Sequence, residues 1–341
     1  MQYYNLTRRS ESGRMRNNCF TFLRYLFSLC IFCNHLCVTM GEEVFLGHGL
    51  VFVCGFFAMS GFLNFNSYRQ TPDPKTFALK RFKRIYPAYG MTVLLCLLTG
   101  ASLSTLSAET FFAQAETWKY LFCNLLFLNY QQPTLPGVFE ENAMPFVNAS
   151  LWTMKVEVLF YISVPVVHWM IGKFGKHKVL LTIILLSLAY NYGTAVAYRL
   201  TGNQLFNTLN HQLPGELSYF YIPVLMHYHF DWVRKHGKRL MWASAALFTL
   251  ALLTGGCSFL LPLCLPPLVI TFAYECTWLL ATARWKDFSY EFYLLRFPLL
   301  QTIVATGLAA SLGQTAIVAL ILTFILAIPL HYLSKALSNR I

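Results

Sequence analysis

CFTFLRYLFSLCIFCNHLCVTM, residues 19–40, is apolar but for one arginine, one histidine and a few small polar side chains. A helix needs about 20 such residues, rising ~1.5 Å each, to cross ~30 Å of hydrocarbon. Runs of the same kind recur at about 44–64, 85–104, 151–171, 178–198, 213–230, 239–255, 259–282, 288–310 and 314–334, so the chain reads as an all-α polytopic transmembrane bundle of about ten crossings. Composition agrees: of 341 residues, 56% are hydrophobic and 12% charged, with a mean hydropathy of +0.50. A soluble domain carries about a quarter charged residues. Water is therefore not the main solvent of this chain.

The net charge of +12 sits in short clusters between apolar runs and not on one soluble face, so no nucleic-acid partner is expected. It reports topology instead. With ten crossings and a cytoplasmic N-terminus, 21 of the 26 Lys and Arg residues fall in inner segments, Lys119 and Arg199 fall outside, and Arg24, Lys155 and Arg296 lie within runs. The organisation expected is an inner tail 1–18, a membrane domain 19–335 and an inner tail 336–341, with both termini cytoplasmic. The stretch WKYLFCNLLFLNY, 118–130, is too short to count, and a crossing there would put KFGKHK and VRKHGKR outside. No cleavable signal peptide is evident, because Arg8, Arg9, Arg14 and Arg16 lead straight into a run too long for one; the first helix serves as its own insertion signal. Most of the ten cysteines lie inside apolar runs as small buried hydrophobes, so no disulfide framework is expected. Cys30, Cys33 and Cys37 along one helix ridge read as packing, and no metal is expected. The outer segment 105–150, with Pro133, Pro136, Gly137 and Pro145 beside Glu140 and Glu141, reads as an ordered lid or substrate-facing loop.

Charge at membrane depth is costly, about 2.5–3.5 kcal/mol at mid-helix on insertion scales, so each such residue needs a partner or a polar cavity. Arg24, His35, Glu157 and Arg296 stand out. Arg24 and His35 are eleven residues apart, which returns to one helix face within ~20° and separates them by ~16 Å. His35 lies five residues before the outer end of its run, and Glu157 roughly 9 Å below the outer surface, so the two share a depth. A carboxylate level with an imidazole fixes the ring's tautomer and suits a general base; it equally suits two polar groups satisfying each other between helices. In KRFKRIYPAY, 80–89, Arg81 and Arg84 are three apart and face the same way on a helical turn. Forked guanidinium donors suit phosphate oxygens, although basic loop residues also simply anchor topology.

Together these segments resemble acyltransferase family 3, polytopic proteins that O-acylate cell-surface glycans. The resemblance covers nearly the whole chain. It is carried by the Arg24 to His35 spacing in FLRYLFSLCIFCNHL, by FFAMSGFL at 56–63, by the arginine pair in RFKRIYP, by NASLWTMKVEVLFY at 148–161, by QLPGELSYF at 212–220 and by SYEFYLLRFP at 289–298. It implies a multi-pass protein of the bacterial plasma membrane, an acyl-CoA donor, most often acetyl-CoA, approached from the cytoplasm, and a carbohydrate hydroxyl acceptor outside, such as that of an O-antigen or exopolysaccharide. It also implies roles for Arg24, His35, Arg81, Arg84 and the Glu157 motif. One departure is that Arg296 stands where the family commonly has histidine, so no histidine role carries over; pairing of Arg296 with Glu275 or Glu291 is expected, ahead of contact with a donor phosphate. Many relatives add a soluble SGNH-hydrolase-type domain, whereas this sequence ends at Ile341, so it is expected to act alone or with separate envelope glycan-assembly proteins.

The mechanism this reading favours makes His35 the base that deprotonates the sugar hydroxyl, in direct transfer and without an acyl-histidine. Glu157 orients His35, with Trp152, Thr153 and Lys155 in support. Arg81 and Arg84 hold CoA phosphates, and Arg24 binds donor phosphate or lines the acyl path. Two rivals are a lipid-linked glycan transporter, for which an internal duplication would be expected and none is visible, and a membrane glycosyltransferase or polymerase, in which Glu140 and Glu141 would act.

Overall fold

A computed structural model describes residues 17–43, 49–254 and 258–341; the tail arginines Arg8, Arg9, Arg14 and Arg16 lie outside the described residues. Everything regular in the described residues is helical. In chain order the α-helices are α1 Phe20–Met40, α2 Leu50–Gln70, α3 Pro74–Leu103, α4 Ala108–Ala113, α5 Ala115–Leu125, α6 Trp152–Phe174, α7 Lys176–Thr201, α8 Gln204–Asn210, α9 Leu213–Tyr228, α10 Phe230–Thr254, α11 Leu261–Glu275, α12 Ser289–Thr306 and α13 Leu312–Arg340. Six helical stretches are long and apolar enough to cross a membrane: α1, α2, α3, α6 with the turn before it, α7 and α13. The 84° bend between α11 and the 3-10 segment Thr277–Arg284 makes that pair a seventh if it counts as one broken span. Helices α9, α10 and α12 also stand on apolar runs but are too short or too polar to qualify on length and composition alone. The stretch around 118–130 forms α5, whose 11 residues reach ~16 Å, half the hydrocarbon thickness.

Helix α3 begins eleven residues before the apolar run that announces it. Asp73 caps it, accepting from the Thr76 amide at 2.8 Å, and Pro74 supplies a preset first turn. Thr76 thereby holds the Asp73 carboxyl below the usual carboxylate range. Arg81 and Arg84 are consequently helical residues and not loop residues. Prolines inside α3, α6, α9, α11, α12 and α13 each free the carbonyl four residues before them, and that of Leu294, freed by Pro298, accepts from Asn148 Nδ2 at 2.9 Å.

The chain divides into two compact units. The first holds the described residues up to Phe27, with Cys54–Thr71 and Ser163–Asp287. Here α7 packs on α9, α9 on α11 and α11 on α10, around an aromatic cluster of Phe20, Phe62, Phe230 and Tyr274. Gly61, in the segment FFAMSGFL, lies so close to the backbone of α9 that a Cβ would meet the carbonyl of Phe220. Small residues let helices approach in this way in lipid. Because backbone cannot yield as a side chain can, Gly61→Val is expected to cost about 1–3 kcal/mol or more through overpacking. The check is the melting midpoint and abundance of the purified protein, and a wild-type midpoint would show that the contact is not tight.

The second unit holds Ser28–Val53 as far as it is described, Pro72–Ile162 and Phe288–Ile341. In it α12 packs on α13, and both pack on α3, which also meets α5. Its long segment between α3 and α6 is ordered by named bonds. Ser104 Oγ donates to Pro136 O (2.8 Å), the Thr105 amide to Gly137 O (3.0 Å) and the Val147 amide to Pro133 O (3.0 Å). Gln301 of α12 donates to Met144 O (2.5 Å) and Phe146 O (2.7 Å), and Asn148 to Leu294 O (2.9 Å). The segment is thus strapped along α12.

Candidate active site

Most residues singled out from sequence belong to the second unit, where they form a chain of neighbouring polar groups. At one end Arg84 is exposed and Arg81 half-buried, one helical turn apart on α3. The Arg81 guanidinium lies 5.2 Å from the Phe77 ring centroid and 5.9 Å from that of Tyr161. The charges of Glu157 and Arg84 both act on it. Glu157, on α6, accepts a short hydrogen bond from the hydroxyl of Tyr161, one turn further along the same helix. Its charge also reaches Tyr290 and Tyr293 of α12, and Tyr290 itself donates to Ile85 O of α3 at 3.1 Å.

Tyr293 carries the chain onward. Its hydroxyl shares a 2.7 Å hydrogen bond with Thr153 Oγ1 and donates to Ser150 O at 3.1 Å. Ser150 and Thr153 belong to the segment NASLWTMKVEVLFY, so one function of that segment is to lock α6 to α12. Lys155 Nζ stands 4.9 Å from the Tyr130 ring, and Trp152 is half-buried at the start of α6. The Arg296 guanidinium lies over the Tyr293 ring, 4.1 Å from its centroid.

Arg296 is fully buried, and its Nη1 donates to Ser28 O of α1 at 3.2 Å. Its expected pairing with a carboxylate is not found. Glu275 meets Arg234 (3.5 Å), Glu291 meets His331 (3.1 Å), and among the described residues no carboxylate lies within ion-pair distance of Arg296. The reason is helical phase: five residues separate Glu291 from Arg296, which turns them onto different faces of α12. Instead Arg296 is near enough to His35 for its charge to act on the ring. His35, half-buried, packs edge-on against the ring of Phe297 at 5.0 Å. Its Nδ1 is buried and has no hydrogen-bond partner among the described residues. Within this unit, therefore, Glu157 is grouped with Tyr161 and Arg81, and His35 with Arg296 and Phe297.

Arg24 belongs to the first unit, where its guanidinium donates to Asp287 at 2.7 Å and the neighbouring Tyr25 hydroxyl donates to Lys286 O at 2.7 Å. The first unit also contains a buried carboxylate that the reading of sequence passed over. Glu216 is almost fully buried, accepts from Cys54 Sγ at 3.3 Å and lies 3.3 Å from His211 Nδ1. Glu291, with His331, is its counterpart in the second unit. Each carboxylate stands three residues or fewer from the start of its helix, so it reads as edge polarity, yet its segment, QLPGELSYF or SYEFYLLRFP, marks it.

A family model described as an acyltransferase domain, that of acyltransferase family 3, matches residues 17–334, and the chain belongs to that family. It is therefore an enzyme, a membrane acyltransferase. Among curated proteins, an O-acetyl transferase of Shigella phage Sf6 is 25% identical over 323 residues, which cover 90% of this chain and 93% of that one. No solved structure matches.

Proposed function

We infer that this enzyme is an O-acetyltransferase of the bacterial plasma membrane that takes its acyl group from acetyl-CoA on the cytoplasmic side and gives it to a hydroxyl of a cell-surface or lipid-linked glycan. The observation that carries the reading is the polar chain of the second unit, which starts at an exposed arginine and ends at a half-buried histidine, in a chain of acyltransferase family 3. An acyl transfer needs those two ends: cations for donor phosphates and a base for the acceptor hydroxyl. The likeness to a phage O-acetyl transferase supports acetyl as the group moved. In the ten-crossing arrangement with both termini inside, Arg81 and Arg84 lie at the cytoplasmic mouth and His35 toward the outer face. Arg81 and Arg84 bind CoA phosphates, and Glu157 with Tyr161 holds Arg81. His35 takes the hydroxyl proton, while Thr153, Trp152 and Lys155 keep α6 in place. Arg24, paired with Asp287, serves the donor's approach.

One experiment tests donor and orientation together. Membranes from expressing cells are prepared as inside-out and as right-side-out vesicles and supplied with labelled acetyl-CoA. Label is expected in glycan only from inside-out vesicles, and only with the protein present. Transfer from right-side-out vesicles alone would overturn the orientation, and transfer from neither would overturn the donor.

A further inference from the structure

Buried polar atoms in native proteins are almost always hydrogen-bonded, and each exception asks for an explanation. Four exceptions fall together in the second unit. They are Nε and Nη2 of Arg296, Nδ1 of His35 and Oγ of Ser28, none of which has a partner among the described residues. Ser28 and His35 are seven residues apart on α1, hence on one face, and Arg296 is bonded to the Ser28 carbonyl. An arginine buried without a counter-ion is expensive, because no opposite charge offsets its desolvation. A role confined to packing would be served by methionine or leucine at no such cost. The fixed elements around Arg296 leave its two remaining donors aimed rather than free to wander: Nη1 is tied to Ser28, and the guanidinium plane lies over Tyr293, which Thr153 and Ser150 hold.

We propose that Arg296 is a catalytic residue whose Nε and Nη2 donors hold the carbonyl oxygen of the acyl thioester beside His35 and accept the charge that develops there. This rests on the thioester-donor reading above. The acceptor oxygen bonds to the carbonyl carbon as its proton passes to His35, and the carbonyl π pair moves onto the oxygen facing Arg296. That pair then returns to re-form the carbonyl as the carbon–sulfur bond breaks. The thiolate leaves and takes the proton from His35, so ester and thiol account for every atom. A preorganised cation in a water-poor site is well suited to the intermediate, because its donors need no reorganisation when the charge appears.

The test is Arg296→Met, which keeps an unbranched apolar stem in place of the arginine methylenes and removes the charge and donors. Thiol release from acetyl-CoA is followed in membranes carrying the host's own glycans, per molecule of folded protein. A fall of about 100-fold or more in kcat, with the acetyl-CoA KM within about threefold of wild type, is expected, since losing one oxyanion donor alone costs 10²–10³ in kcat. A purely structural arginine would instead change abundance and melting midpoint and leave kcat per folded molecule within threefold, which overturns the proposal. If the methionine variant does not accumulate, Arg296→Lys carries the same test, because it keeps the charge but not the fork. A tenfold or greater loss of kcat at unchanged KM is expected there, and wild-type kcat overturns the proposal. Wild-type membranes that release no thiol from acetyl-CoA overturn the donor reading and this proposal with it; wild-type turnover shared by the Arg296 variant overturns only the role of Arg296.

Discussion

His35→Ala is expected to yield an inserted, folded enzyme with no measurable acyl transfer. A positioned general base contributes about 10²–10⁴ to the rate, and the buried Nδ1 of His35 has no hydrogen-bond partner among the described residues to lose. Its ring meets Phe297 edge-on, and the hydrogen bond from Thr39 Oγ1 goes to the His35 backbone carbonyl, which alanine retains. Two other histidines provide the contrast. His211 and His331 each stand against a buried carboxylate, Glu216 and Glu291. Removing either leaves that carboxylate short of a partner in the interior, so His211→Ala and His331→Ala are expected to lose folded protein while keeping kcat per folded molecule within about threefold. Mass spectrometry of acetylated glycans, normalised to protein abundance, separates the two outcomes. Near wild-type acetylation in His35→Ala would make that histidine structural and would move the search for a base to His211 or His331.

The positions of the membrane helices were legible because hydrocarbon demands about 20 apolar residues in succession, and each run at 19–40, 151–171 or 314–334 carries a helix. The start of α3 was not legible from hydropathy, since Asp73 and Pro74 begin a basic, amphipathic turn before the apolar run; capping chemistry marks it instead. Depth along the bilayer follows from counting residues, which puts His35 and Glu157 at one level. Direction around each helix does not follow from counting. Tyr161, one turn from Glu157 on the same face, meets that carboxylate, and the neighbour of His35 is Arg296, whose phase on α12 carries it away from Glu291. Glu216 is not marked by sequence because a carboxylate near a helix start looks like interfacial polarity, and only packing reveals that it, like Glu291, is buried.

Arg81→Gln is expected to raise the KM for acetyl-CoA about 30-fold or more, and Arg84→Gln by well under that. The two arginines look equivalent in RFKRIYP, but Arg81 is half-buried over the rings of Phe77 and Tyr161 whereas Arg84 is exposed. A charge-assisted hydrogen bond contributes about 1.5–3 kcal/mol, and more of that survives where water and salt screen less. Added salt should therefore erode the contribution of Arg84 before that of Arg81. Lysine at position 81 should restore binding only in part, because a point charge lacks the bidentate fork. Glu157→Gln then decides how the carboxylate acts. If it works by holding Arg81, its removal raises the acetyl-CoA KM with kcat largely kept, as Arg81→Gln does. If it serves His35, kcat falls and the donor KM stays. Measuring both constants for all four variants in the same membranes, per inserted molecule, distinguishes these results from a simple topological anchor, for which insertion falls and both constants remain those of wild type.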